Sequence, residues 1–483
     1  MSGANCDILE FFPKSKQPRP IQIDTLRKIE EVWKDSDVIV VNLPVATGKS
    51  YIAMTIAKWL ASKDIHSRIL TPTNILVDQY IKDFPRLHTV YKKSTYVCEP
   101  ETPLSSEMSC EKAHKKRGRT CDNCPYVKAK KKGYKVPYGV YNYYTYYAHK
   151  YFEECMIVDE AHNLISTIQA MAADKIWCFQ YGIPPSIKTY RGLLDWIERH
   201  PSLDDDAKLQ KLHKELVSGQ TSFLVQRTID LYHKEYKECL KLLPVDIRNA
   251  PPFLWPIPEV SKLILLSATI GFKDVESLGL DKRKVTFIHA DSPIPIERRP
   301  VHYTPIGSLS MHSQDNNLPL LAARIQELLQ NHTEKGFIHI TYSLANKLQP
   351  LLKNEERLIW HDKENKMAQY QSFRAKTPES GAVMVASGLY EGVDLPEDMG
   401  RWQVITKVPW PSLGEPAIKY LAERDPEWYS NECIKTILQA SGRICRSISD
   451  YGITYILDSS FKRLYDNYRD LFPEWYQKGV IGL

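Results

Sequence analysis

Apolar residues in this chain fall in short runs that end in small, hydroxylated or acidic residues. Val38 to Val41 form an uninterrupted apolar run, and beyond Lys49 the apolar positions recur every three to four residues. A continuous run followed by a helical period predicts a buried parallel strand, a glycine-bearing loop and then a helix. SRILTPTN (67–74) follows at the spacing of a βαβ unit, CMIVDEAHN (155–163) ends in acids, and KLILLSATI (262–270) ends in hydroxyls. Strands that alternate with helices and carry polar residues at their C-termini predict an open α/β sheet whose site lies along that edge. A second α/β unit is predicted from about residue 300, on GFIHITYS (336–343), AVMVAS (382–387), WQVITKVPW (402–410) and GITYILDSS (452–460).

Residues 166–255 interrupt the first sheet. Val225, Ile229, Tyr232, Tyr236 and Leu240 recur at helical spacing there, which predicts a helical insert before PVDIRNAPPFLWPIP (244–258) leads back to the sheet.

Charge changes the picture in one place. The whole chain carries +6, whereas residues 92–135 hold twelve Lys or Arg against five acids, a local +7. Such a focus is the footprint expected for a phosphate backbone, although a solvated lysine-rich loop has the same composition. At 483 residues the chain is long enough for about three domains. Its 25% charged and 43% apolar residues are those of a soluble globular protein. The N-terminus has no apolar signal core and no 18-residue apolar run occurs, so an intracellular protein without a membrane partner is expected. Six of the ten cysteines are scattered singly, which fits reduced thiols, but Cys98, Cys110, Cys121 and Cys124 fall within 27 residues of the basic segment.

Three motifs carry chemistry. LPVATGKS (43–50) reads as a phosphate-binding loop: Thr47 and Gly48 would offer backbone N–H groups, Lys49 would reach the β/γ oxygens and Ser50 would sit on Mg²⁺. Leu43 stands where such loops usually begin with glycine, and a glycine-capped helix start with a surface lysine would read similarly. VDEAHN (158–163) supplies carboxylates after a buried strand, Asp159 for the metal and Glu160 for the attacking water, with His162 beside them. In QASGRICRS (439–447), Gln439 precedes Arg443 and Arg446, which on a helix would share one face and could direct two guanidiniums at a γ-phosphate between two domains.

The order of these motifs resembles a superfamily 2 DNA helicase, and more narrowly the iron–sulfur XPD/DinG family. RPIQ (19–22) resembles its adenine-contacting Q motif, with Gln22 as reader. LTPTNILVDQY (70–80) resembles the DNA-touching motif Ia, which contains Thr71. LSATI (266–270) matches motif III, where Ser267 and Thr269 would couple ATP to DNA. ASGLYEGVDLP (386–396), with Glu391, Gly392 and Asp394, and KVPWPSLGEP (407–416) resemble motif V and the segment after it. QASGRICRSISDYG (439–452) is close to motif VI. The likeness runs from about residue 19 to 460, with 166–255 matched by position only. Leu43, Val45 and Ala46 depart from the family's phosphate loop.

The family's four-cysteine insert between motifs Ia and II binds a [4Fe–4S] cluster, so the resemblance makes Cys98, Cys110, Cys121 and Cys124 the ligands. By chemistry alone four thiolates suit zinc equally well, although one C-x₂-C pair with two isolated cysteines is unlike a zinc module's two pairs. A lysine-rich segment of this length has too little apolar content for a core, so a metal would have to fold it. Once folded, it would present a positive wedge to a single strand. Downstream, GYKVPYGVYNYYTYYAHKYF (133–152) holds eight tyrosines. The family has a buried helix here, so most should pack while one or two stack on bases.

The expected fold is therefore α/β, with two RecA-like motor domains and an iron–sulfur insert and a helical arch in the first. The expected segments are 1–97, 137–165 and 256–295 for the first motor domain, 98–136 for the iron–sulfur insert, 166–255 for the arch and 296–483 for the second motor domain. The resemblance implies a monomeric ATP- and Mg²⁺-dependent helicase acting 5′→3′ on single-stranded DNA and tailed duplexes, with DNA repair among its pathways. Its location would be cytoplasmic in a bacterial or virus-infected cell and nuclear in a eukaryote. The same motifs would serve a translocase that remodels R-loops or protein–DNA complexes. A zinc-bearing nucleic-acid-binding protein with a degenerate motor is the rival of another class.

Overall fold

The computed structural model describes residues 7–44, 47–97, 110–111, 124–218, 223–232, 235–248, 251–254, 261–389, 395 and 397–483. The chain divides into two units: Met1–Asn42 with Gly48–Ala290, and Asp291–Leu483 with Leu43–Thr47. The second unit thus starts at Asp291, slightly before the expected 296. No described helix is long and apolar enough to cross a membrane.

The strands of the first unit are β1 (Val38–Asn42), β2 (Ser67–Thr71), β3 (Tyr138–Asn142), β4 (Cys155–Asp159), β5 (Asp174–Trp177), β6 (Phe223–Tyr232), β7 (Glu235–Pro244), β8 (Lys262–Ser267) and β9 (Val285–His289). Six of them form a parallel sheet in the order β3-β2-β4-β8-β1-β9. Their apolar runs are buried on both faces, as a sheet flanked by helices requires. Register aligns Asn42 with Ser267, Leu266 with Asp159, and Thr71 with Asn142, so the polar ends of the three strands read from the sequence, Thr71, Asp159 and Ser267, share one edge with Asn42 and Asn142.

The tyrosine-rich stretch differs from the expected single helix. Tyr138–Asn142 is the edge strand β3 and Tyr143–His149 a short helix. β-Branched and aromatic residues suit the ladder with β2, and the Asn142 side chain ends the strand by accepting the Tyr144 N–H at 3.0 Å. Tyr141, Tyr143, Tyr146 and Tyr151 are buried, while Tyr134 and Tyr144 are exposed.

The insert at 166–255 corrects the helical expectation. It does contain helices, at Leu164–Ala172, Tyr190–Glu198 and Ala207–Ser218, but β6 and β7 pair antiparallel as a long ribbon with β5 on the β7 side. Val225, Arg227, Ile229 and Leu231 alternate with Gln226, Thr228 and Asp230, which is a strand period. The apparent helical spacing joined residues from both faces and both strands. At the ribbon's base Val225, Leu240 and Leu242 pack with Leu193, Ile197, Leu209 and Leu212 of the helices.

In the second unit β10 (Val301–Gly307), β11 (Gly336–Ile340), β12 (Leu358–Ile359), β13 (Val383–Ser387), β14 (Trp402–Ile405), β15 (Ile453–Asp458) and β16 (Val480–Ile481) form a parallel sheet. Its order is β12-β13-β11-β14-β15-β10-β16. Leu321, Ile325 and Leu328 of the Gln314–Asn331 helix share one apolar cluster with Ile338, Ile340 and Trp402.

Candidate active site

Thr47, Gly48 and Lys49 of the phosphate loop fold as their types require, whereas Val45 and Ala46 lie outside the described residues. Gly48 adopts φ 77°, the left-handed conformation that favours glycine, and a Cβ there would meet Gln22 Nε2 at 2.5 Å, so the glutamine amide would have to move. Lys49 then opens the Lys49–Ala61 helix, whose next residue is Ser50. Thr47 Oγ1 donates to the Pro44 carbonyl at 2.8 Å. Gln22, buried on the Pro20–Val32 helix, accepts the Arg19 N–H at 2.9 Å and reaches the Gly48 carbonyl with Nε2 at 3.5 Å.

Asp159 ends β4 and Glu160 follows in the left-handed region at φ 50°. Lys49 Nζ lies 3.1 Å from Glu160 Oε1, joining the two acidic and basic motifs read from the sequence. Asp159 is 4% exposed, with Oδ1 accepting the Glu160 N–H at 3.0 Å and Oδ2 accepting the Tyr80 hydroxyl at 2.9 Å. Burial, with the neighbouring Glu160 charge, pushes its carboxyl up to about 6, against the opposing pull of Lys49 and the Tyr80 bond. The oxygen donors of Asp159, Glu160 and Ser50 are the hard set that suits Mg²⁺, which would favour the ionised carboxylate.

His162 connects this pair to β8. Its Nδ1 is 2.9 Å from Ser267 Oγ and 3.5 Å from Glu160 Oε2, while Asn163 Nδ2 lies 2.9 Å from Nε2. An amide nitrogen can only donate, so Nε2 accepts and Nδ1 carries the proton. Ser267 Oγ also accepts the Thr269 N–H at 3.1 Å, so motif III meets the acidic pair through Ser267 and His162. Thr71 is buried at the end of β2 with Oγ1 donating to Thr73 O at 3.1 Å.

The motif VI expectation needs correction. The Pro426–Ser441 helix carries Gln439 but stops before Arg443 and Arg446, which therefore share no helix face. Glycine follows at the helix end, and Asp450 fixes the chain beyond it by accepting the Arg446 and Glu397 N–H groups on Oδ2 at 2.9 and 3.1 Å. Asp450 Oδ1 takes the Tyr451 N–H and the Arg401 guanidinium at 2.9 and 2.6 Å.

Cys110 and Cys124 are both fully buried, with their Sγ atoms 3.7 Å apart among Tyr96, Tyr126 and Val127. Two adjoining thiols with aromatic cover fit a shared metal centre. Cys98 and Cys121 lie outside the described residues, as do Glu391, Gly392 and Asp394. Among the described residues no cluster of three or more His, Cys, Asp or Glu could hold a metal ion. Helix Pro125–Gly133 carries Lys128, Lys130, Lys131 and Lys132.

Sequence reasoning missed Tyr80, Tyr143 and Asn163. Tyr80 stood only as the last residue of the stretch resembling motif Ia, and Tyr143 as one of eight tyrosines. Only the packed sheet reveals that Tyr143 Oη donates to the Asp159 carbonyl at 2.9 Å.

Two parallel α/β sheets, one bearing a lysine–acid pair at its C-terminal edge, resemble the paired RecA-like domains of superfamily 2 motors. Residues 15–190 match the family described as type III restriction enzyme, res subunit, and residues 325–479 match the helicase C-terminal domain. Among solved structures, an XPD helicase is similar over 97% of this chain and 100% of its own, at TM-score 0.62 and 16% identity. Xpd4 of S. tokodaii is similar over 96% of this chain and 100% of its own, at TM-score 0.58 and 13% identity. Regulator of telomere elongation helicase 1 homologs match at 30% identity over 130 residues in Aedes aegypti and at 34% over 109 residues in Drosophila melanogaster. Those alignments take in 24% and 19% of this chain, and 13% and 11% of the relatives. The chain thus carries a res-subunit-type segment and a helicase C-terminal domain, on a fold like that of the XPD helicases, and its alignments span only about an eighth of the curated relatives' length.

Proposed function

We propose that this protein is an ATP-dependent DNA helicase that moves 5′→3′ along single-stranded DNA and opens duplexes at a cysteine-bound [4Fe–4S] wedge. The observation that carries this reading is the linked set Lys49–Glu160–His162–Ser267, with Asp159 beside it, at the C-terminal edge of one parallel sheet. Lys49 binds the β/γ phosphates of ATP, Asp159 with Ser50 holds Mg²⁺, and Glu160 orients the attacking water. Through its Nδ1 proton, His162 joins that glutamate to motif III, a physical route by which nucleotide state reaches the strand-end loops. Arg443 and Arg446 neutralise charge that develops on the γ-phosphate. Cys98, Cys110, Cys121 and Cys124 hold the cluster, which supplies cross-links that order a segment too polar to fold alone. Support for the DNA contact comes from the lysines of Pro125–Gly133, adjoining that centre.

The test is ATP-dependent unwinding of one duplex bearing either a 5′ or a 3′ single-stranded tail, with anaerobically purified protein whose iron and zinc are quantified. Unwinding from the 5′ tail alone, with iron bound, is expected. Strong DNA-stimulated ATPase without unwinding would instead assign a translocase. Zinc without stimulated turnover would assign a nucleic-acid-binding protein.

A further inference from the structure

We propose that Tyr80 and Tyr143 are positioning residues that hold the Asp159–Glu160 pair in the geometry needed to bind the metal–nucleotide complex. The inference deepens the ATPase reading given above and rests on it.

The two phenols approach the pair from different elements. Tyr80 lies on the Asn74–Asp83 helix that follows β2, is 2% exposed, and donates its hydroxyl to Asp159 Oδ2 at 2.9 Å. Tyr143 opens the helix that follows β3, is fully buried, and donates to the Asp159 carbonyl at 2.9 Å, with the Glu160 carbonyl at 3.4 Å. One phenol therefore fixes the side chain and the other the main chain. Asp159 Oδ1 is already tied to the Glu160 N–H, so Tyr80 supplies the second anchor that stops the carboxylate turning about Cβ–Cγ. Tyr143 braces a turn that needs bracing: Glu160 is a non-glycine residue at φ 50°, a conformation that persists only when its surroundings over-determine it. Both rings sit in packed apolar surroundings, so loss of a hydroxyl leaves the shape intact.

The experiment compares wild type with Tyr80→Phe and Tyr143→Phe, using Tyr146→Phe as the control. Tyr146 is a buried tyrosine of the same core, and its hydroxyl has no partner among the described residues. The readout is Mg²⁺-dependent binding of a fluorescent ATP analogue, alongside kcat and KM for ATP and a thermal melt. Tyr80→Phe should need about tenfold more Mg²⁺ for half-maximal binding and lose about tenfold in kcat, as expected when a donor to a charged acceptor is removed. Tyr143→Phe should shift the same way by a smaller factor. KM at saturating Mg²⁺ and metal-free nucleotide affinity should stay unchanged. Wild-type Mg²⁺ dependence in both Phe variants would overturn the inference and leave the ATPase reading standing. An equal shift in Tyr146→Phe would also overturn it, since a general loosening of the core would then be the cause. A wild-type chain that takes up no nucleotide would remove the ATPase reading, and the inference with it.

Discussion

Acidification should destabilise the second unit through one buried histidine, and the sign and size both follow from its partners. His339 lies on β11, fully buried, with Nε2 at 3.2 Å from Gln403 Oε1. Gln403 Nε2 donates to the Ala440 carbonyl and Thr454 Oγ1, both at 2.9 Å, which fixes the amide and leaves its oxygen facing the ring. His339 is thus held as the neutral Nε2–H tautomer. Burial first, then the Arg443 charge, lower its pKa to about 4 against the bond to Gln403. Between the ordinary value near 6.5 and about 4 the unfolded chain binds a proton that the folded one does not, so stability falls as pH falls through that window. At about 1.4 kcal/mol per unit, the full difference is roughly 3 kcal/mol. His339→Gln keeps an amide donor for Gln403 and cannot titrate. Urea unfolding of both proteins from pH 8 to pH 4.5 should show the wild-type advantage shrinking below about pH 6.5. Subtracting the variant cancels the other titrating groups. A difference that stays constant across the range would refute the reasoning.

Lys49→Ala should abolish ATP hydrolysis while single-strand binding survives, measured by phosphate release and fluorescence anisotropy; loss of both in a folded variant would count against the phosphate-loop assignment. Asp450→Ala removes the acceptor of three N–H groups and a 2.6 Å partner of Arg401, which keeps its pairing with Asp398 at 2.7 Å. It should cost about 1–3 kcal/mol in urea unfolding, the penalty for a buried N–H left without an acceptor. Gly48→Ala forces a left-handed alanine against Gln22, so nucleotide affinity should drop and stability fall by about 1–2 kcal/mol, read by calorimetry. On the proposed iron–sulfur reading, Cys124→Ser should lower the iron content and stop unwinding while leaving appreciable ATPase, which iron analysis and a tailed-duplex assay would check.

Local patterning along the chain was enough to imply the parallel sheets and the motif residues at their edges. Runs such as Val38–Val41 and Cys155–Val158 are too apolar to lie anywhere but between two layers of helices, and the polar residue that ends each run must then reach the sheet's C-terminal edge. Lys49 and Glu160 could be paired from that logic alone. Where two periods overlapped, the sequence misled. Val225, Ile229, Tyr232, Tyr236 and Leu240 fit a helix in one dimension, but the ribbon pairs Ile229 with Glu238 and Leu231 with Tyr236 on two antiparallel strands. Likewise, Arg443 and Arg446 shared a helix face only while the helix was assumed to continue past Ser441.

Which tyrosines reach Asp159 was legible only in the packed fold. Tyr80, Tyr141 and Tyr143 are alike in composition and burial, yet Tyr80 and Tyr143 meet Asp159 whereas Tyr141 faces Tyr151 and His88. Periodicity reports that a residue points inward. Which polar atom it finds there depends on the register of strands far apart in sequence, and that is settled only when the sheet is packed.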